Sequence, residues 1–399
     1  MSNFFDMVPP KERIDAPTFG HGAGMLIKPE VVERAIQERE QLHGKAFKIF
    51  FSPQGKKLDQ DLLKVIERKA RESGHLMLLP ARYEGMDARV EKEYADLTVS
   101  VGDFVLMGGD IPAMMLIEGM LRLIPGVVGK QESVHEDSFS GPFVDYPEFT
   151  EPVTWHGMTV PDVVRSGNHG AIREWRMQQA VKKTVMEHFA WMRAQHMSDE
   201  QKKLARVHIP AHYVALMHDQ VLADGKEGTT SVMSIDIHDI ARSSRTYGIN
   251  HFFVVTPLGD QQKIVQHFLD FWQQGHGVAY NQNRHNALKH TSIAASLDMA
   301  IAAIEEREGK KPILIATSAR PVEGRAITFY DQTIVWREQR PVLLIFGTGN
   351  GLAPSILERC DYILVPIHGM SDFNHLSVRS AAAVVFDRWL GINEAKIGN

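Results

Sequence analysis

The sequence is poor in cysteine, in long apolar runs and in positive charge. Cys360 is the single cysteine among 399 residues, which excludes a disulfide framework and favours a reducing compartment. No apolar run approaches the roughly 18 residues of a membrane-spanning helix. Glu118, Arg122 and Pro125 interrupt the most apolar stretch, and the start, MSNFFDMVPPKERID, lacks the apolar core of a secretory signal. We therefore expect a cytoplasmic protein.

The low positive charge also limits how the chain can bind nucleic acid. A net charge of −5 argues against a protein that coats nucleic acid nonspecifically, because such affinity comes mainly from neutralising phosphates. A structured RNA can still be held by a local basic surface. The candidates, which can equally be solvated helix faces, are Arg173, Arg176, Lys182, Lys183, Lys202, Lys203 and Arg206.

The composition and the hydrophobic pattern are those of an α/β protein. Hydrophobic residues make up 44% and charged residues 23%, and the length suits about two or three domains. Strands that alternate with helices predict mostly parallel sheets, which bind ligands at the carboxyl ends of their strands. In the first half we predict helices Pro29–Gln41 and Gln60–Glu72 and strands Lys48–Phe51 and His75–Pro80. In the second half we predict a helix Ala171–Gln195 capped by Ser166 or Asn168, strands Val214–Met217, Phe252–Val255, Pro312–Thr317, Pro341–Phe346 and Asp361–Pro366, and a terminal helix Leu376–Leu390.

The stretch Val99–Gly129 is the most informative part of the chain. Phe104–Met107 is predicted to be a strand that breaks at Gly108-Gly109. A helix then begins with Pro112 at its first position and ends before Pro125-Gly126. A strand, a glycine turn and a helix start together let a ligand approach the backbone closely and meet free N–H groups.

These residues resemble the bacterial tRNA (guanine-N1)-methyltransferase family, TrmD, from about Phe19 to Arg206. The match also includes Tyr83-Glu84-Gly85, Glu136-Asp137-Ser138-Phe139-Ser140 and Ser166-Gly167-Asn168-His169. The resemblance implies S-adenosylmethionine-dependent methylation of guanine N1 beside the tRNA anticodon, at position 37. It further implies a homodimer with the site across its interface, a helical region that contacts the anticodon arm, and a magnesium requirement linked to the Glu84 region.

Methylation of guanine N1 defines what the site needs. N1–H is protonated at neutral pH, so a base must remove this proton while a cation stabilises the charge that develops at O6. The resemblance assigns the base to Asp137, the cation to Arg122, and a place near the guanine and the methionyl group to Glu84. The residues alone leave other interpretations open, because Arg122 can pair with Glu118 and Asp137 can be a turn or cap residue.

The resemblance also assigns the cofactor site, where backbone hydrogen bonds would hold adenine. The residues are Ala81, Tyr83, Val101, Gly102, Asp103, Phe104, Val105, Leu106, Gly108, Gly109 and Pro112. The glycine pair alone is also compatible with an ordinary turn.

The sequence departs from the family pattern at several positions. Ala81 replaces a usual glycine, Asp110-Ile111 replaces Glu-Leu, and Glu151 replaces a usual arginine at an RNA contact. His21 interrupts a normally all-glycine run. The family's first strand and helix do not occur here, so either translation starts upstream or another segment fills the gap. The alternative function is therefore an RNA- and cofactor-binding scaffold with an inactive first domain.

A second resemblance covers about His212 to Gly391. LIFGTGNGL, which starts at Leu344, and NHLSVRS, which starts at Asn374, are similar to the SPOUT-type RNA methyltransferases fused to TrmD in some bacteria. This resemblance implies a trefoil knot near each cofactor site. The residues that it places around S-adenosylmethionine are Thr317, Gly347, Gly349, Ile367, Leu376 and Ser377.

Several interpretations stay open in this half. The glycine spacing is not GxGxxG, and Pro366-Ile367-His368 offers no acidic residue for a ribose, so a nicotinamide cofactor is not expected. Asn374 can also be the cap of the last helix. No general base is evident, and the RNA target is open. Further residues that are either RNA contacts or surface ion pairs are Arg245, Arg320 and Arg379. Polar surface histidines without the spacing of a zinc site are His238, His368 and His375.

We therefore predict two SPOUT-type, trefoil-knotted α/β domains with parallel sheets and a small helical segment between them. The predicted boundaries are 1–140 for the TrmD-like catalytic domain, 141–210 for the linker and helical tRNA-binding region, and 211–399 for the second methyltransferase-like domain. The expected partners are S-adenosylmethionine, tRNA and a second copy of the chain. Magnesium is a further expected cofactor, and neither a membrane nor DNA is an expected partner.

Overall fold

The computed structural model describes residues 3–128, 137–322 and 324–392. The chain divides into two compact units, residues 1–140 and 141–399. Both units alternate strands with helices and contain parallel sheets, which confirms the predicted α/β class. In the described ranges, no helix is both long and apolar enough to cross a membrane.

The first unit contains a three-stranded parallel sheet in the order β4-β3-β5. These strands are β3 Phe47–Lys57, β4 Leu76–Leu79 and β5 Leu97–Ser100, and a separate antiparallel pair is formed by β1 Asp15–Pro17 and β2 Met25–Ile27. The helices are a 3₁₀ turn Phe4–Met7, α1 Pro29–His43, α2 Gln60–Ser73, α3 Ala88–Tyr94 and α4 Asp110–Leu123. The predicted helices Pro29–Gln41 and Gln60–Glu72 are confirmed.

Helix α2 shows how local sequence sets these elements. Asp59 caps the helix by accepting a hydrogen bond from Leu62 N–H at 2.8 Å, and Gly74 ends it with φ of 67°. The buried face of α2 contacts α4, where Gly119 lies against Leu63. A Cβ at Gly119 would lie 2.8 Å from Leu63 Cδ1, so a glycine allows the two helices to approach closely.

The prediction of a strand at Phe104–Met107 is wrong. The strand in this region is β5, which pairs with β3 and ends at Ser100, where the hydroxyl bonds the backbone of Gly102. The apolar run 104–107 is instead an exposed loop, with Val105 82% and Met107 93% accessible. Helix α4 begins at Asp110, so Pro112 is its third residue rather than its first. An apolar run does not by itself show whether a strand partner is within reach.

Strand β3 pairs with β5 in two parts near the carboxyl end of the sheet, both parallel to β5, with a register shift between them. Phe51 and Lys56 both pair with Val99, and the predicted turn Ser52–Gly55 lies between them. A Cβ at Gly55 would lie 2.7 Å from Thr98 O. Only glycine therefore fits where this turn crosses the neighbouring strand.

The second unit begins with hairpin and helical segments. Its first elements are β6 Thr154–Trp155, β7 Met158–Thr159, and helices Asp162–Arg165, His169–Glu187, Phe189–Met192 and Asp199–Val207. Asn168, not Ser166, caps the long helix by accepting a hydrogen bond from Ala171 N–H at 3.1 Å. The predicted single helix Ala171–Gln195 is interrupted at His188, where φ is −128°.

A seven-stranded parallel sheet forms the centre of the second unit, in the order β12-β11-β8-β15-β13-β16-β14. Its strands are β8 His212–Met217, β11 His251–Val255, β12 Thr291–Ala294, β13 Ile313–Thr317, β14 Ala326–Ile327, β15 Val342–Gly347 and β16 Tyr362–Leu364, and a separate hairpin is β9 Val221–Ala223 with β10 Lys226–Gly228. The remaining helices are Ser234–Thr246, Gly259–Gln273, Gly277–Tyr280, Gln282–Leu288, Leu297–Glu308, Gln332–Trp336, Pro354–Leu357 and Val378–Leu390. All five predicted strands are confirmed, whereas β12 and β14 were not predicted.

The helices of residues 169–207 pack into the core of this second sheet. Val181, Val185 and Phe189 belong to one buried cluster with Trp336 and Trp389. The ring of Phe189 meets that of Trp336 edge to face, with centroids 4.7 Å apart. The helical segment therefore shares its hydrophobic core with the strands that follow it.

Candidate active site

In the first unit, the turns after two strands pack backbone against backbone. Gly109 N–H donates to Ala81 O at 2.7 Å, and Arg82 and Gly108 form a β-bridge. A Cβ at Gly109 would lie 2.9 Å from both Ala81 N and Pro80 Cα. The structure thus brings Ala81, Gly108 and Gly109 together, and glycine is required for the contact.

Charged side chains and the hairpin turn hold the loop that follows β4. Arg82 Nη2 pairs with Asp110 Oδ2 at 2.6 Å, which links the loop to the first turn of α4. Tyr83 has φ of 60° and an exposed ring. Gly24, in the turn between β1 and β2, lies directly against the Glu84 side chain, and Glu84 N–H donates to Met25 O at 3.1 Å. Glu84 is therefore held by the β1–β2 turn.

The loop after β5 presents apolar side chains to solvent. Phe104 lies against Gly102, and Lys57 Nζ pairs with Asp103 Oδ2 at 2.8 Å. Phe104, Val105 and Leu106 are exposed, whereas Pro112 is buried in the first turn of α4. The Pro112 ring therefore packs inside the unit and does not face solvent.

Asp137 and Arg122 contact each other. Arg122, in the last turn of α4, donates from Nη2 to Asp137 Oδ2. Both side chains keep access to solvent, at 48% for Arg122 and 32% for Asp137. Asp137 also begins a turn, because Ser140 N–H donates to its carbonyl at 3.1 Å. Glu136, which precedes it in the predicted polar loop, lies outside the described residues.

In the second unit, the predicted cofactor residues lie on adjacent strand ends. Thr317 ends β13 and donates from Oγ1 to Ile345 O at 3.0 Å, and Gly347 ends the neighbouring β15. Gly349 has φ of 60°, and a Cβ there would lie 2.7 Å from Leu222 O. Thr317 and Gly347 thus lie side by side at the carboxyl edge of the sheet, and Gly349 follows in the next turn.

The segment before the last helix reaches the same edge. Ile367 follows β16, Leu376 is exposed, and Ser377 caps Val378–Leu390 by accepting from Ser380 N–H at 3.4 Å. Asn374 is not the cap. Its Nδ2 instead donates to Ala319 O at 3.0 Å, which ties this segment to the loop after β13.

Some of the predicted surface residues have internal partners. Arg206 donates to Gly248 O, and burial lowers its pKa, so it is a structural residue and not part of a free basic surface. Arg379 pairs with Asp236 at 3.1 Å. His238 is not a polar surface residue, because its ring packs 4.8 Å from that of Phe268 and burial lowers its pKa. Predicted basic residues that remain exposed are Arg173, Lys182, Lys183, Lys202, Lys203, Arg245 and Arg320, and exposed histidines are His368 and His375.

Sequence reasoning missed the Arg82–Asp110 pair and a hydrogen-bond chain through His218, Thr230 and Thr348. No sequence motif predicts these hydrogen bonds, because the three residues are far apart in the sequence. In the described parts of the chain, no group of three or more His, Cys, Asp or Glu side chains is placed to hold a metal ion.

Parallel sheets with turns at their carboxyl edges define the α/β proteins that bind ligands at those edges. Comparison with known proteins assigns the class more narrowly. The family described as tRNA (Guanine-1)-methyltransferase TrmD matches residues 4–193, and the family described as SAM-dependent RNA methyltransferase matches residues 211–391.

Two relatives that match both segments of the chain have the same name. A tRNA (guanine-N(1)-)-methyltransferase of Oleidesulfovibrio alaskensis is 38% identical over 384 residues, 95% of this chain and 88% of that protein. One of Nitratidesulfovibrio vulgaris is 39% identical over the same shares. A shorter one, of Neisseria meningitidis, is 44% identical over 173 residues, 43% of this chain and 68% of that protein. The chain belongs to the tRNA (guanine-N1)-methyltransferase family.

Proposed function

We propose that the first unit transfers a methyl group from S-adenosylmethionine to N1 of the guanine beside the tRNA anticodon, at position 37. The contact between Arg122 and Asp137 is the observation that carries this proposal. It places a carboxylate and a guanidinium together within one unit, both accessible to solvent, as the chemistry of guanine N1 requires.

The two side chains take complementary roles in this reaction. Asp137 accepts the N1 proton, and the N1 electron pair then attacks the cofactor methyl carbon. S-adenosylmethionine, when bound, would supply the methyl group and leave as S-adenosylhomocysteine, with the electrons of the broken carbon–sulfur bond on sulfur. Arg122 stabilises the negative charge at O6 while N1 is deprotonated. Because Arg122 holds Asp137 before substrate enters, guanine must draw the guanidinium from the carboxylate towards O6.

The turns of the first unit fit S-adenosylmethionine. Packed backbone at Ala81 and Gly109 supports adenine recognition by main-chain groups, and the exposed Tyr83 and Phe104 supply apolar contact area. The cofactor residues are proposed to be Ala81, Tyr83, Val101, Gly102, Asp103, Phe104, Val105, Leu106, Gly108, Gly109 and Pro112. Glu84 is proposed to orient the guanine and the methionyl group. Among the described residues, no set of three side chains is placed to hold magnesium.

The exposed apolar residues of α4 support a homodimer. Leu116 and Met120 face the core, whereas Met114 is 63% and Ile111 56% exposed. Together with loop 104–107, these residues form an apolar surface beside the proposed cofactor site, and surfaces of this kind mark protein interfaces. We propose that a second copy of the chain covers it and completes the site.

For the second unit we propose a second S-adenosylmethionine site, bordered by Thr317, Gly347, Gly349, Ile367, Leu376 and Ser377, that serves methyl transfer to RNA. The strand order supports a trefoil knot there, because β16 lies between β13 and β14 although these two follow each other in the chain. We propose residues 141–210 as the tRNA-binding region, with Arg173, Lys182 and Lys183 exposed on one helix. The family matches do not favour the alternative of an inactive scaffold.

Methyl transfer to a defined transcript tests this function. An unmodified tRNA with guanine beside the anticodon should gain one methyl group at N1, identified by nucleoside mass spectrometry. A matched transcript with adenine at that position should gain none there. Equal labelling of both transcripts, or no labelling of either, would contradict the proposal.

A further inference from the structure

The loop Gly347–Gly351 of the second unit is held by a segment more than a hundred residues earlier in the chain. Leu222 N–H donates to Gly351 O at 2.8 Å, and Asn350 N–H donates to Leu222 O at 2.8 Å. These bonds hold one side of the loop. Three of its five residues are glycines, which give the backbone little stiffness of its own. The order of the loop must therefore come from its partners.

A chain of side-chain hydrogen bonds enters the middle of this loop. Thr348 Oγ1 lies 2.8 Å from Met217 O and 2.5 Å from Thr230 Oγ1. Thr230 Oγ1 lies 3.1 Å from His218 Nδ1. Thr348 has one hydroxyl hydrogen and gives it to the Met217 carbonyl, so it must accept from Thr230, which in turn accepts from His218 Nδ1–H. The Met217 carbonyl thus fixes the direction of all three hydrogen bonds.

This direction determines the state of His218. The imidazole carries its hydrogen on Nδ1, and Nε2 is left as a bare acceptor. His218 is 1% exposed, and its Nε2 has no hydrogen-bond partner among the described residues. An unsatisfied buried acceptor is costly. Packing alone does not explain a histidine at position 218, because an apolar side chain would fill the space without an unsatisfied acceptor. The hydrogen bond that Nδ1 donates to Thr230 does explain it.

We propose that His218, acting through Thr230 and Thr348, is a positioning residue that holds the loop Gly347–Gly351 in the conformation that receives S-adenosylmethionine. The inference rests on the proposed cofactor site of the second unit. Without the His218 donor the Thr230 hydroxyl is free to rotate, and Thr348 Oγ1 then keeps its bond to Met217 O but loses the bond that Thr230 donates. The loop becomes a mixture of conformations, and the cofactor must select the competent one.

Hydrogen exchange of the full chain, with mass spectrometry, separates this site from that of the first unit. Peptides over residues 342–357 report the second site, and peptides over residues 97–115 report the first. Titration with S-adenosylmethionine gives a half-saturating concentration for each set. Thr348→Val and His218→Leu should each raise the concentration for the second site about tenfold, as expected for one lost hydrogen bond. The first site should not change.

Two further variants separate positioning from packing. His218→Asn keeps an N–H donor towards Thr230 and should bring binding back to within about threefold of the original chain. Thr229→Val makes the same chemical change at the exposed neighbouring threonine and should leave both sites unaffected. If His218→Leu does not fold, Thr348→Val, which preserves side-chain shape, decides the question.

Unaltered binding at the second site in Thr348→Val would overturn the inference. Equal loss in His218→Asn and His218→Leu would also overturn it, since packing would then explain the histidine. If the unmodified chain shows cofactor-dependent protection only over residues 97–115, the second cofactor site itself is refuted, and the inference with it.

Discussion

Single residues carry the proposed chemistry of the first unit, where a guanidinium at a helix end meets a carboxylate in a turn. Arg122 donates a hydrogen bond to Asp137, so the same guanidinium lies where it can stabilise the charge that develops at O6. The resemblance assigned both roles, and spacing alone could not, because Glu118 offered Arg122 an equally good partner. The described structure pairs Arg122 with Asp137.

Removing the cation should slow the chemical step and leave cofactor binding in place. We expect Arg122→Met to lower the single-turnover rate of methyl transfer about 100- to 1000-fold, because the charge at O6 loses its stabilising donor. Arg122→Lys retains the charge and should recover part of that loss. Quenched-flow measurements with labelled cofactor give these rates, and an unchanged rate in Arg122→Met would remove Arg122 from the mechanism.

A buried histidine at the start of β8 accepts hydrogen bonds from two tryptophans of the second unit. His212 Nδ1–H donates to Pro210 O at 2.7 Å, and Nε2 accepts from Trp389 Nε1 at 3.0 Å and from Trp336 Nε1 at 3.4 Å. Burial lowers the pKa of His212 to about 3, so the ring is neutral at pH 7 and can accept. The ring thus satisfies indole N–H groups that would otherwise be unpaired in the core.

Replacing this ring should destabilise the second unit. We expect His212→Leu to lower the free energy of unfolding by about 2–4 kcal/mol, because two buried indole donors lose their acceptor. Urea unfolding followed by tryptophan fluorescence measures this change, since all six tryptophans lie in the second unit. The exposed His267→Leu is the control and should change stability by no more than about 0.5 kcal/mol. Equal effects of both substitutions would show that the indole bonds contribute nothing.

Among the elements, helices and buried strands were predicted well, and the elements at the site were predicted less well. The five predicted strands of the second sheet are apolar runs because helices cover both faces of the sheet. Phe104–Met107 gave the same signal, yet it is an exposed loop. An exposed apolar run and a buried strand therefore have the same composition, and sequence alone does not distinguish them. The short β14 and the four-residue β12 gave too little pattern to predict.

The glycine turn before α4 allows a sharp test of the first cofactor site. Gly109→Ala would put a Cβ 2.9 Å from the Ala81 nitrogen and should push the two turns apart. We expect cofactor-dependent exchange protection over residues 97–115 to be lost while the second unit unfolds as before. Gly141→Ala, where nothing lies within 4 Å, is the matched control. Normal cofactor affinity in Gly109→Ala would show that this turn does not form the site.

At the scale of the whole chain, sequence similarity and packing divide the protein differently. The TrmD match extends to residue 193, whereas the first unit ends at residue 140. The family's helical segment therefore packs with the second sheet, through Val181, Val185 and Phe189. Sequence patterns identified these helices as amphipathic, but an apolar face does not reveal which neighbour will cover it.

Buried histidines should make the second unit sensitive to acid. Burial lowers the pKa of His212 to about 3, of His251 to about 3 and of His218 to about 4, well below about 6.5 in the unfolded chain. Their contribution is complete above pH 6.5 and declines as the pH falls towards 4, because only the unfolded chain takes up these protons.

Each of the three groups changes stability by at most about 1.4 kcal/mol per pH unit. Urea unfolding by tryptophan fluorescence should therefore show a steep loss of stability between pH 6.5 and pH 4, and a smaller slope in His251→Gln. A flat profile over this interval would contradict the burial of neutral imidazoles.

The most direct test of the central claim is the single-turnover rate of methyl transfer to the transcript with guanine beside the anticodon, in Asp137→Ala. We predict a fall of about 100- to 10,000-fold, the range that a general base contributes, with cofactor binding over residues 97–115 unchanged. A rate equal to that of the unmodified chain would contradict the assignment of Asp137 as the base that removes the guanine N1 proton.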